Sequence, residues 1–174
     1  MVKFSEGELE FNFPENLNWF KFDPQGKTLP QDMRFVDLVI ETQDETILLE
    51  IKDPSDTKAT ELDRNKFLAD IKTKALIPAL VSKVRGAYTY QHLMAQDSKP
   101  FKYIVLIALE SFEEDLGLEL VNLTDRLFRR IRKESYEPWK REYVKSCIVM
   151  SLDTWNQEFA SWSVARVPTT EARG

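Results

Sequence analysis

The residues best suited to chemistry are two acids and a lysine: Asp37, then Glu50 and Lys52 in the run Glu50-Ile51-Lys52. The runs "FVDLVIE" and "TILLEIK" are β-rich and are separated by Thr42-Gln43-Asp44-Glu45, which predicts an antiparallel hairpin over residues 35–52. A two-residue loop at Gln43-Asp44 pairs Thr42 with Glu45, and a four-residue loop pairs Glu41 with Thr46. Both give the same register, and both set Asp37 opposite Glu50 with Cβ atoms about 5 Å apart. Lys52 lies two residues beyond Glu50 and shares its face. Two ionised carboxylates at ~5 Å repel by about 3 kcal/mol at an effective dielectric of ~20. Lys52 offsets part of this, and a divalent cation offsets more. Mg²⁺ takes one or two carboxylates together with water and substrate phosphate oxygens, and the backbone carbonyl of Ile51 could add another oxygen. Bound Mg²⁺ (or Mn²⁺) would lower the pKa of a water and stabilise developing phosphate charge. Lys52 would orient or deprotonate that water, or neutralise the transition state. The competing reading is a salt-bridged charge cluster at an exposed hairpin end.

The rest of the chain must hold this hairpin. Val36, Leu38, Ile40, Ile47, Leu49 and Ile51 form one wholly apolar face, which predicts core. The Asp37 face also carries Val39 and Leu48, as on a covered sheet with charges at one end. Leu9-Glu10-Phe11-Asn12-Phe13 alternates as a strand, residues 19–22 read as another, Asp23-Pro24-Gln25-Gly26 is a turn signal and 29–33 a loop. A helical stretch runs over 61–94, its stripe carried by Phe67, Leu68, Ile71, Ala75, Leu76, Ala79, Leu80, Val84, Ala87 and Tyr88. Pro78 predicts a kink or break near Ile77. "YIVLIAL" (103–109) is a continuous apolar run, expected of a strand buried on both faces and parallel to the Glu50 strand. Ser111 and Glu114 have capping-box spacing, with Gly117 delaying the main helix. Leu120, Leu123, Leu127 and Ile131 give that helix its inward face. A strand over 144–150, a short helix capped by Asp153, and an edge strand over 162–167 complete the order. The expected fold is α/β: one domain over 1–174, a mixed sheet flanked by helices.

Asp37, a spacer, then Glu50-Ile51-Lys52 on the next strand resembles the PD-(D/E)XK nuclease superfamily, over roughly residues 35–109. The resemblance implies a restriction endonuclease-like core and a nucleic-acid substrate, DNA ahead of RNA. It also implies an acid from a preceding helix, for which Glu6, Glu8 and Glu10 are candidates although "LEFNF" reads as a strand. Val36 stands where the family often has proline. The helix after the Glu-x-Lys strand often supplies a basic or amide side chain, for which Lys72 and Lys74 are candidates. The rival is a noncatalytic domain on the same fold, binding nucleic acid or a partner protein. A homodimer is compatible with either.

Composition bounds these readings. The net charge of −5 opposes nonspecific nucleic-acid binding by the whole surface. The distribution is uneven, however: Arg126, Arg130 and Lys133 share a helix face, with Arg129, Arg132, Lys140, Arg141 and Lys145 nearby. This is a candidate phosphate-binding patch, or a solvated face paired with Glu134, Glu137 and Glu142. Trp139, Trp155 and Trp162 could stack on bases or pack into the core. The single histidine, His92, excludes histidine-based triads and His-rich zinc sites. Cys147 is the single cysteine and reads as a small core residue; without an internal disulfide, the chain fits a reducing cytoplasm. No signal-peptide or membrane-spanning run appears in the sequence, and the five glycines form no phosphate loop.

Overall fold

The apolar alternation resolves into two cores on either side of one sheet. The computed structural model describes residues 1–22 and 32–167; the turn signal at 23–26 and most of the 29–33 loop lie outside the described residues. In chain order the elements are β1 (Val2–Glu6), β2 (Leu9–Phe13), β3 (Asn18–Lys21), β4 (Leu38–Glu41), β5 (Thr46–Lys52), α1 (Glu61–Thr73), α2 (Ile77–Leu93), β6 (Phe101–Ile107), α3 (Gly117–Arg132), β7 (Ser146–Ser151), α4 (Leu152–Glu158) and β8 (Val164–Arg166). The main sheet has the order β3-β4-β5-β6-β7, and a second sheet has the order β1-β2-β8. β4 and β5 pair antiparallel with Glu41 opposite Thr46, the expected register. β5, β6 and β7 pair parallel, which places the 103–109 run inside the sheet, with 103–108 fully buried. Two parallel crossovers through helices account for this mixed α/β arrangement.

Helices α1 to α3 cover the face that bears Val39, Leu48, Tyr103 and Val105. The opposite face bears Leu38, Ile40, Ile47, Leu49 and Ile51, and is wholly apolar as expected. Its cover is mainly the second sheet, through Phe4, Leu9, Phe11, Phe13 and Val164, together with Trp155 of α4. The sequence pattern anticipated helices as flanking elements and missed β1. β2 alternates buried and half-buried positions because Leu9, Phe11 and Phe13 all face that core. Arg166 fastens the second sheet to the end of β5: its guanidinium donates to Asp53 at 2.6 and 3.1 Å and to Glu8 at 3.0 Å.

The helical stretch breaks where proline requires. α1 ends in a left-handed Lys74, and Pro78 occupies the first turn of α2, where its missing N–H costs no hydrogen bond. Ala75 and Ala79 are exposed, because the stripe does not run continuously across the break. α3 starts at Gly117 with Asp115 accepting from its amide at 2.9 Å, while Ser111 bonds Ser55 and caps nothing. α4 is capped by Ser151 rather than Asp153, which sits in its first turn. No helix among the described residues is long and apolar enough to cross a membrane.

Gly86 sets how closely α2 approaches the hairpin. A Cβ there would lie 2.0 Å from the carbonyl oxygen of Arg34. Only glycine lets α2 seat against the segment that leads into Asp37. Gly86→Ala should therefore push the two apart and destabilise the protein by about 3 kcal/mol, the upper part of the usual overpacking range. A thermal melt checks this, and a melting temperature within a degree of the parent would show that the contact is slack.

Candidate functional site

Asp37 lies just before β4, and the chain is irregular there. Its amide donates to the carbonyl of Leu49 at 3.0 Å, although Leu38 is the ladder partner of Leu49. Two successive residues thus face Leu49, which marks a bulge that re-aims the side chain. Asp37 is consequently not the ladder partner of Glu50, as unbroken alternation implied. Val36, before the bulge, packs with the helix-side core rather than with Leu38 and Ile40. The bulge turns the Asp37 carboxylate along the strand edge, where Oδ2 accepts from the amide of Ile51 at 2.6 Å. The N–H and C=O of one strand residue leave the same edge and alternate along the chain. The Ile51 carbonyl therefore faces the Asp37 side, whereas the Lys52 carbonyl accepts from Ala108 on the β6 side.

Glu50 is fully buried, with 0% exposure. Its Oε1 accepts from Lys52 at 2.7 Å and from Lys83 of α2 at 2.6 Å. Lys83 also lies 3.6 Å from Asp37 Oδ1, so its ammonium bridges the two acids. Glu50 Oε2 is buried and has no hydrogen-bond partner among the described residues. Burial holds the Glu50 carboxyl above its ordinary range, Asp37 pushes it further up, and Lys52 and Lys83 pull it back. Tyr103 is buried beneath the same face, donates to the carbonyl of Leu80 at 3.2 Å, and is held well above the usual phenol range by burial and then by Glu50. It is a protonated structural donor.

Lys83 was not singled out by the sequence pattern. Its only signal there is its place in α2 next to Val84, within a helix that must cover the hairpin. The two lysines the resemblance suggested point elsewhere. Lys72 pairs with Glu114 at 2.8 Å and Lys74 with Glu119 at 2.8 Å, tying the α1–α2 elbow to the start of α3. The N-terminal acids are also engaged elsewhere: Glu6 with Lys21, Glu8 with Arg166 and Thr57, Glu10 with Lys3.

The basic helix residues Arg126, Arg130 and Lys133 line a groove of about 810 Å³ between α3 and the start of α2. Arg130 pairs with Glu134 at 2.6 Å, and Arg129 with Asp125 at 3.0 Å. Lys83 and Arg85 are two residues apart on α2 and so lie about 200° apart around it. Lys83 faces the acids, and Arg85 bonds the carbonyl of Arg130 on the α3 side. The groove and the acids therefore occupy opposite flanks of α2. His92 bonds Asp97 at the far end of α2. Cys147 packs against the helix-side core, where burial pushes its thiol well up and disfavours the reactive thiolate.

Among the described residues no group of three or more His, Cys, Asp and Glu side chains is arranged to hold a metal. A two-carboxylate Mg²⁺ site needs no such group, since water and substrate supply the other oxygens. The partnerless Glu50 Oε2 and the Ile51 carbonyl edge fit that donor set. Compared with family models, curated proteins and solved structures, the chain matches none.

Proposed function

We propose that this protein is a metal-dependent phosphodiesterase acting on nucleic acid, DNA first, with Asp37 and Glu50 holding Mg²⁺ or Mn²⁺. The observation that carries this is the buried Glu50, whose second oxygen has no partner among the described residues. A fold gains nothing from burying a carboxylate and leaving one oxygen unmet; such perturbed acids cluster at functional sites. A bound cation would supply Lewis-acid stabilisation of phosphate charge and an activated water. Asp37 is aimed by the Ile51 amide, and Glu50 by two ammonium groups. Lys52, partly exposed, is placed to meet a phosphate oxygen or hold a water. The bulged Asp37, the Glu-x-Lys strand, a basic residue from the following helix and the parallel β6 together support the resemblance to the PD-(D/E)XK nucleases and their restriction endonuclease-like core.

The noncatalytic reading is favoured by one feature. Lys52 and Lys83 balance Asp37 and Glu50 in charge without any cation. Metal titration separates the two. Millimolar Mg²⁺ or Mn²⁺ should raise the melting temperature by mass action on the native state. Plasmid, single-stranded DNA or RNA should be cut only with metal present. A melting temperature indifferent to both metals, with no cleavage of any substrate, would leave a binding domain.

A further inference from the structure

A second surface, on the other flank of α2, carries chemistry the acidic site does not use. Between residues 126 and 145 the chain has eight Lys and Arg against three Glu, in a protein of net charge −5. The last turn of α3 accounts for part of this, since Arg129, Arg130 and Arg132 complement the carbonyl end of the helix. Lys133, Lys140 and Arg141 lie beyond the helix and need another reason. Among the described residues Arg126, Lys133 and Lys140 have no ion-pair partner.

Aromatic rings are interleaved with these cations. Lys133 pairs with Pro138 in an isolated bridge, and the Trp139 amide donates to the carbonyl of Arg132 at 3.0 Å. This closes a tight loop that displays Tyr136 at 99% exposure. Trp139 follows at 49% exposure, with the Arg85 guanidinium 5.7 Å from its ring. Trp155, by contrast, is fully buried and Trp162 stacks on Phe159. Beside Trp139 a pocket of about 450 Å³ opens against α2, walled by Tyr88, His92 and Tyr143, with Arg85, Lys140 and Arg141 at its margin. Tyr88 and His92 stack at 5.8 Å and 13°. Among the described residues the lining holds three Lys and Arg side chains and no carboxylate. Arg85 joins this pocket to the α2–α3 groove, because it also bonds Glu134 and the carbonyl of Arg130.

We propose that this face is a binding track for single-stranded nucleic acid, with bases stacking on Trp139 and Tyr136 and phosphates following Arg126, Lys133, Lys140 and Arg141. Flat apolar rings beside unpaired cations match a ligand that alternates bases with phosphates. Stacking accepts any base, so the track reads strandedness rather than sequence. A duplex hides its base faces and offers the track only phosphates. The track goes beyond the acidic site and does not depend on it, since α2 stands between them.

The test is fluorescence anisotropy in EDTA, which suppresses cleavage, with labelled 12-nucleotide DNA and RNA, the matching duplex, and inorganic polyphosphate as competitor. Either single strand should bind more tightly than duplex, and polyphosphate of equal charge should compete poorly. The DNA and RNA arms identify which strand is preferred. Trp139→Ala should weaken single-strand binding about tenfold, and Trp139→Phe should restore most of it. Lys133→Ala and Lys140→Ala should each flatten the slope of log K against log salt by about 0.7. Glu50→Gln should bind like the parent. Polyphosphate competing as well as oligonucleotide, or a folded Trp139→Ala with unchanged affinity, would overturn the stacking track. Binding lost in Glu50→Gln would overturn its independence from the acids.

Discussion

Lys83→Met should lower the stability of the metal-free protein by about 2 kcal/mol, or roughly 4–8 °C in melting temperature for a chain of this size. Lys83 bridges Glu50 and Asp37, and Glu50 is wholly buried. Removing one partner of a buried pair leaves an uncompensated charge, which typically costs about 3–5 kcal/mol. The lower figure applies because Lys52 still holds the same Glu50 oxygen and Lys83 itself is a quarter exposed. The more telling effect is the response to metal. Lys83 stands where the two acids converge, so its ammonium competes with any cation they would share. Without it, Mg²⁺ should stabilise the variant by more than it stabilises the parent, recovering much of the loss. Melting curves of both proteins across a Mg²⁺ series read this directly. A loss that Mg²⁺ cannot recover would make the pair a closed structural salt bridge and favour the noncatalytic reading. An unchanged apo melting temperature would remove Lys83 from the site.

The hairpin shows which features a sequence can and cannot disclose. Its register was legible because one face is apolar at every second residue, and a slip would bury charge. The inner, parallel placement of β6 was legible because residues 103–108 offer no polar face to water. Two local features were not legible. The bulge at Asp37 breaks a period-two pattern without leaving a glycine or proline to mark it, so alternation alone places Val36 in the wrong core. Lys83 reaches Glu50 across 33 residues of sequence, from a helix whose rotation is fixed by Gly86 and by the buried Val84 and Ala87. Its type and spacing resemble those of any solvated helix lysine. The second sheet was partly visible: β2 announced itself by alternation and β8 falls within the edge strand expected over 162–167, whereas β1 gave no such signal and the pairing of β2 with β8, from opposite ends of the chain, leaves no local mark. Among the candidate cations, Lys72 and Lys74 satisfied the sequence criterion equally well, and helix geometry turned them toward α3 instead.

Glu50→Gln should separate the acid's effect on stability from its effect on function. The Glu50 carboxyl is held above its ordinary value of about 4.5, first by burial and then by Asp37. The folded state therefore binds this proton more tightly than the unfolded state. By linkage, stability falls as pH rises from about 4.5 through the folded value, and the full penalty is present above it. Glutamine removes that penalty while its amide oxygen can still accept from Lys52 or Lys83. Both lysines are partly exposed and can hydrate what charge they no longer share. The variant should melt at or above the parent at pH 7, and the gap should close as pH falls toward 4. Function should move the other way. A neutral amide is a poor ligand for Mg²⁺, so the metal-induced rise in melting temperature should vanish. Cleavage should fall on the order of a thousandfold, as when a preorganised electrostatic group is lost. Melting curves between pH 4 and 8, with and without Mg²⁺, and a nuclease assay on the same preparations give all three readouts. A variant less stable than the parent at pH 7 would mean that Glu50 is retained for its ion pairs. The partnerless oxygen would then lose its meaning as a vacant ligand position.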